Sequence, residues 1–264
     1  MAQKDIHAYG TLAIAKAVGY ADEDAILLAW ADDESDYTLQ VKPWNCLWSN
    51  LGLQFHFWPA DKKDLICRVD SELSKRIAND VSIVAEGIKL CSGGTAKPYM
   101  LCRIGIALHG LQDTYSHQNW IGKFNDYNVL PAWSREGIHL NWLVPPYGHS
   151  PMGKTPDIAT ATWYDPRTGK TINNKARVEA ALLATSQALG LECTPKHISM
   201  VFADVEDTKD IDDYVRRKQK LRNLAGMQHI HFSKMRADML KRYGVQFKAA
   251  AAAQAKIVKE YLRE

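Results

Sequence analysis

The segment HGLQDTYSH places His109, Asp113 and His117 at i, i+4 and i+8. A helix turns about 100° per residue, so residues four apart fall about 40° short of overlay. On a helix the three side chains therefore crowd one face. Buried without partners, two imidazoles and a carboxylate would cost several kcal/mol. A divalent cation removes that cost, because neutral imidazole and carboxylate are ordinary zinc ligands. A hydrogen-bonded polar network without metal is the competing reading.

Other residues of the same chemistry lie elsewhere. His7 stands near the start of the first predicted helix, and Asp32, Asp33 and Asp36 cluster in AWADDESD at the end of the second. His56 sits among aromatics in FHFWPAD, and His149 and Asp157 lie in GHSPMGKTPD. Each has a duller reading on its own: a core or capping histidine, a solvated helix end, an aromatic cluster, a loop. Tyr9, Trp30, Phe55, Trp58 and Trp120 are near these candidates in sequence, where they would stack a base, flank a lipid headgroup or simply fill a core. His229 and His231, two residues apart, fall on different helical faces and make a poor chelate.

The elements that must position these residues read mostly as helix. Thr11–Val18 and Asp22–Asp32 form two short helices joined near Gly19. Leu73, Ile77, Val81, Val84 and Ile88 step by three and four, an amphipathic stripe that CSGGTAKP then breaks. Met100–Trp120 is apolar enough to lie in the middle of a bundle. Ala176–Leu189 follows, then Asp210–Tyr243 with an interruption at Gly226, then Phe247–Leu262 with its alanine run. Between 122 and 174 the chain is rich in proline and glycine, and YDPRTGKT reads as a turn between short extended pieces. An irregular insert of this length in a helical protein is usually functional or a covering flap. The expectation is one all-α domain over 1–264 with this insert and a basic helical section from about 208 to the end.

Composition fits that picture. The 264 residues are 46% hydrophobic and 24% charged, ordinary for a globular chain and far from disordered or collagen-like composition. No apolar run approaches the roughly 20 residues of a membrane span. Asp5 and His7 occupy the place of a signal peptide's greasy core, so the expected location is the cytoplasm, or an export route without such a signal. The five cysteines, at 46, 67, 91, 102 and 193, are odd in number and widely spaced, which suits buried free thiols. From Thr208 onward 14 basic residues face 6 acidic ones, although the whole chain carries only +3. Arg216–Arg222, RRKQKLR, would touch phosphates or form a solvated helix face.

In chain order, the candidates are a histidine near the N-terminus, an aspartate at a helix end, a histidine in an aromatic segment, a His/Asp/His helix, and a loop histidine with an acid. This order resembles the ligand order of the zinc-dependent phospholipase C and single-strand nuclease superfamily. AWAD, ending in Asp32, is similar to the nucleases' aspartate motif, and FHFWPAD to their histidine segment. The resemblance spans residues 7 to 157 and implies a multi-helix bundle with one to three zinc ions. It implies that Asp32, His56, His109 and Asp113 hold one ion. Asp113 then bridges to a second, which His7 also ligates, and His117, His149 and Asp157 hold the third. The implied activity is hydrolysis of a phosphodiester, in a nucleic acid or a phospholipid headgroup, by water activated between metals. Asp113 would position the metals, and Asp32 or Asp33 would orient the water. Manganese or iron would also suit such ligands. Two other readings stay open: a non-catalytic metal-binding scaffold that keeps the cage, and an exported toxin-like effector. Oligomeric state is not legible.

Overall fold

Helical segments dominate the computed structural model, which describes residues 5–39, 50–90, 96–131, 133–134, 137–138, 146–203 and 211–263. The α-helices are α1 (Thr11–Val18), α2 (Asp22–Thr38), α3 (Glu72–Leu90), α4 (Ala96–Ser116), α5 (Asn174–Ala188), α6 (Lys196–Ala203), α7 (Ile211–Leu224) and α8 (Phe232–Tyr261). Two wider π-helical turns, Asp5–Gly10 and Gly52–His56, precede α1 and α3. The described residues also form two antiparallel hairpins. One pairs β1 (Trp133–Ser134) with β2 (Gly137–Ile138). The other pairs β3 (Thr162–Asp165) with β4 (Lys170–Asn173), Thr162 opposite Asn173 and Asp165 opposite Lys170.

α4 is the axis of the molecule, packed against α2, α3, α5 and α8. From Leu101 to Thr114 nearly every side chain is buried, so this helix has no solvent face to spend on polar residues. Its glycines let neighbours approach. A Cβ on Gly105 would lie 2.4 Å from the Leu28 carbonyl oxygen of α2, and one on Gly110 would lie 2.1 Å from the Trp58 ring. The Gly105 contact brings the acidic end of α2 alongside the polar end of α4.

Local signals explain several boundaries. Gly19 ends α1 at φ 98°, its N–H reaching the Ala15 and Lys16 carbonyls. Asp22, Glu23 and Asp24 fill the first turn of α2, where the helix dipole favours negative charge. The Asn173 side chain accepts from Ala176 N–H and caps α5. Gly226, at φ 69°, ends α7. The α3 stripe lands as periodicity requires, with Leu73, Ile77, Val81 and Ile88 buried and Ala85 joining them in place of the half-buried Val84.

Several predicted boundaries move. α2 continues to Thr38, so Asp33 and Asp36 are helical residues. α4 runs from Ala96 to Ser116, so His117 stands just past its end. The helix expected over Phe247–Leu262 is the second half of a continuous α8 that begins at Phe232. α6 was not anticipated. The run CSGGT, the insert between 139 and 145, and the start of the helix predicted at Asp210 lie outside the described residues. YDPRTGKT is the β3–β4 hairpin, as its turn chemistry suggests. The insert's Leu130, Met152, Ala161 and Trp163 join Phe57, Cys67 and Trp120 in a second apolar cluster beside the main core. Cys67 and Cys102 are buried and free, Cys193 is free but exposed, against expectation, and Cys46 and Cys91 lie outside the described residues. No described helix is long and apolar enough to cross a membrane.

Candidate metal centre

Asp113 is the hub of the site. α4 carries it one turn after His109, and both side chains are fully buried. Its Oδ1 lies 3.3 Å from Nε2 of His7. Its Oδ2 lies 2.9 Å from Nδ1 of His56, 3.2 Å from Nε2 of His109 and 3.8 Å from Nδ1 of His117. The two π-helical turns deliver His7 and His56 to this carboxylate; such turns are frequent at functional sites. The His7 and His109 rings sit 4.1 Å apart between centroids.

α2 supplies two carboxylates one turn apart, and they take different positions. Oδ1 of Asp32 faces the outer nitrogens of two rings, 3.0 Å from Nδ1 of His7 and 3.3 Å from Nδ1 of His109. Its Oδ2 accepts the Thr11 hydroxyl at 2.6 Å. Oδ1 of Asp36 is 3.6 Å from Nε2 of His109, on the inner side. Ligand atoms from His7, Asp36, His109 and Asp113 all fall within 4.8 Å of one another, a set that could hold one ion. Asp32 thus stands behind the imidazoles and orients them, the role carboxylates commonly take behind metal-bound histidines. The resemblance had implied Asp32 as a direct ligand; the inward carboxylate is Asp36.

The fit can be tested on unmet polar atoms. Nε2 of His7, Oδ1 of Asp36 and Nε2 of His56 are buried and make no hydrogen bond among the described residues. Nδ1 of His7 also meets Gln112 Oε1 at 2.7 Å, and the Gln112 amide donates to Thr11 and Thr185 hydroxyls at 2.8 and 3.1 Å. Acceptors on Nδ1 leave Nε2 of His7 as the ligand nitrogen. A cation held by His7, Asp36, His109 and Asp113 satisfies the first two, whereas His56, which turns Nδ1 rather than Nε2 toward Asp113, lies outside that set.

The insert builds a second group. His117 donates from Nδ1 to the His56 carbonyl at 2.9 Å and stacks on Phe57, ring centroids 4.2 Å apart. His149 donates from Nδ1 to the Gly153 carbonyl at 3.0 Å. Both Nε2 atoms converge on Oδ1 of Asp157, at 3.3 and 3.1 Å. Two 3-10 turns, Ser150–Met152 and Thr155–Asp157, fold the eight-residue gap from His149 to Asp157 so that this is possible. The three ligand atoms lie within 4.8 Å of one another, a second set able to hold an ion. His149 and Asp157 keep 12% and 14% side-chain exposure, whereas His7, His109 and Asp113 have none.

Protonation differs between the groups. Burial opposes charge on His7, but the Asp32 and Asp113 carboxylates hold its pKa well above the usual histidine range. Burial and His7 likewise oppose protonation of His109, and Asp113 and Asp36 still keep it at about 9. Burial works against the Asp113 anion, yet His117, His109 and the hydrogen bonds from His109 and His56 hold it well below the usual carboxylate range. Burial instead lowers His117 to about 4, leaving it neutral at pH 7. Asp157 is held low by His149 and His117 against its own burial. Carboxylates of the first group thus demand positive charge, which protons or a divalent cation can supply.

Other expected participants are elsewhere. Asp33 is buried on α2, and its charge raises the pKa values of Tyr214 and Arg236. Tyr9, Trp30, Phe55 and Trp58 are core, each under 7% exposed, and Trp120 is equally buried but meets the His149 ring edge-on. Within RRKQKLR, Arg217 is buried against Asp5 at 2.6 Å and Arg222 is buried with bonds to Gln219, Ile230 and His231, while Arg216 and Lys220 are exposed on the helix surface. Thr11, Gln112, Asp5 and Arg217 were missed. A glutamine inside an otherwise apolar stretch beside His109 was the available signal for Gln112.

No curated protein and no solved structure matches the chain. A family profile does, over residues 49–262, a stretch that takes in His56, the His109/Asp113 helix and the whole second group, while His7, Asp32 and Asp36 precede it. The chain therefore belongs to the family of unknown function DUF6765.

Proposed function

We propose that this protein is a metal-dependent phosphodiester hydrolase, with zinc as the metal. One observation carries the reading: two His/Asp groups stand side by side, linked by Asp113 and His117, whose Oδ2 and Nδ1 are 3.8 Å apart. Clustered divalent cations supply activated water near neutral pH and stabilise charge on a phosphoryl group. The chain's own residues prepare that chemistry. Asp113 bridges the imidazoles of His7, His56 and His109. Asp32, Thr11 and Gln112 fix the ring of His7, and the His56 and Gly153 carbonyls fix those of His117 and His149. The partly exposed His149 and Asp157 give a substrate phosphate its approach. The chain order of the ligands, similar to that of the phospholipase C and nuclease superfamily, supports the same reaction, on a nucleic acid or a phospholipid headgroup.

Complete burial of His7, His109 and Asp113 favours a second reading, in which the first ion is structural and the protein a non-catalytic metal-binding scaffold. Metal analysis and turnover separate the two. The hydrolase binds at least two zinc ions per chain and cleaves bis-p-nitrophenyl phosphate in a reaction that chelator abolishes. A fully metallated chain without turnover overturns the hydrolase and leaves the scaffold.

A further inference from the structure

Arg167, in the turn between β3 and β4, commits half of its guanidinium. Nε donates to Oδ1 of Asp165 at 3.1 Å and Nη2 to Oδ2 at 2.9 Å, a fork-to-fork pair. Nη1 is buried and makes no hydrogen bond among the described residues. The side chain is only 6% exposed. Its guanidinium carbon lies 3.2 Å from the centroid of the Trp120 ring and 5.5 Å from that of Tyr127, so the plane is held by stacking.

Two more unmet donors adjoin it. Thr168 Oγ1, on the next residue, and Trp120 Nε1, on the ring against which the guanidinium stacks, are likewise buried without a hydrogen bond among the described residues. A buried polar group left unpaired costs about 1–3 kcal/mol. Three together ask for an acceptor. Charge points the same way. Arg177 of α5 donates to the Ser116 carbonyl at 3.1 Å. Burial lowers its pKa to about 10, with Asp165 opposing and Arg167 adding to the effect. Arg167 thus shares the charge of Asp165 with a second, half-buried guanidinium. Trp120 also meets His149 edge-on, ring centroids 6.1 Å apart, so the donors share a ring contact with the second metal-ligand group.

We propose that Arg167, Thr168 and Trp120 form an oxyanion site that receives a phosphate group beside His117, His149 and Asp157. The identity of the anion rests on the phosphodiesterase reading; the donors themselves do not. Arg167 presents Nη1 to one phosphate oxygen, with the Thr168 hydroxyl and the indole N–H as flanking donors.

Inorganic phosphate, titrated calorimetrically into the metal-loaded full chain, tests this. Arg167→Lys, which loses the planar fork, weakens phosphate binding at least tenfold. Thr168→Val, which removes a hydroxyl at nearly constant volume and leaves the Asp165 pair intact, weakens it about fivefold, with metal content and melting temperature unchanged. Equal phosphate affinity in all three proteins, or none in the unsubstituted chain, overturns the proposal. Turnover separates it from the parent reading. Arg167-dependent phosphate binding without bis-p-nitrophenyl phosphate cleavage keeps the anion site and removes the hydrolase. Cleavage with an unchanged KM in both variants keeps the hydrolase and removes the anion site. A dinucleotide and a short-chain phosphatidylcholine, as competitors of phosphate, show which molecule carries the group.

Discussion

A single carboxylate, Asp113, touches three imidazoles at 3.3 Å or less, a reach no other carboxylate has among the described residues. Asp113→Asn replaces an anion with an amide that cannot bridge cations. The expected outcome is loss of at least one metal per chain by elemental analysis; unchanged stoichiometry would show that the first group holds no ion. The neighbouring aspartates test the geometry more finely. Asp32 reaches only the outer nitrogens of His7 and His109, while Asp36 faces inward. Removing an outer partner typically weakens metal binding 10–100-fold, so Asp32→Asn should do that and still fill. Asp36→Asn should prevent filling of the first group. The reverse order, read by chelator competition, would exchange their roles. From sequence, Asp32 and Asp36 share one helical face and cannot be told apart until the helix is known to continue past Asp32.

At the scale of elements, the site depends on how short segments are anchored. The turn carrying His7 begins at Asp5, whose carboxylate accepts from Nε of Arg217 on α7 at 2.6 Å, both side chains at most 3% exposed. Breaking one side of a buried pair costs on the order of 3–5 kcal/mol, because the other charge stays buried alone. Arg217→Met should therefore lower unfolding stability by about that amount in urea. Adding Asp5→Asn should restore part of it; a double variant no more stable than the single one would mean that the pair contributes by packing. These 212 residues of separation show where sequence reading stops. Periodicity located α3 because its apolar stripe is local, and His109 and Asp113 were legible as a pair because a helix fixes its own geometry. The π-helical turns were not, since their backbone depends on what they pack against. Nor was the fate of the aromatics: Trp58 looks alike in a pocket or a core until Gly110 of α4 is seen to seat its ring. Within the basic segment, the burial of Arg217 and Arg222 was not legible for the same reason, their partners Asp5 and Ile230 being set by the tertiary fold.

For the molecule as a whole, metal and protons compete for one buried charge deficit. Without metal, His109 keeps its proton up to about pH 9, and His7 is raised as well. A cation entering the first group must displace those protons, so its affinity rises with pH across the range below about 9. Each displaced proton steepens the dependence by about tenfold per pH unit, or about 1.4 kcal/mol. His117, neutral above about pH 4, has no proton to give up near neutrality, so the second group should respond less steeply. Zinc titrations at pH 6, 7 and 8 against a competing chelator should therefore resolve two classes of site with different pH slopes. Because a ligand bound only to the folded state stabilises it by RT ln(1 + [L]/Kd), the rise in melting temperature at fixed free zinc should also be larger at pH 8 than at pH 6. Two classes with flat and equal slopes would mean that the first group's imidazoles are already unprotonated. The carboxylates of Asp32, Asp36 and Asp113 would then be balanced by something other than His7 and His109.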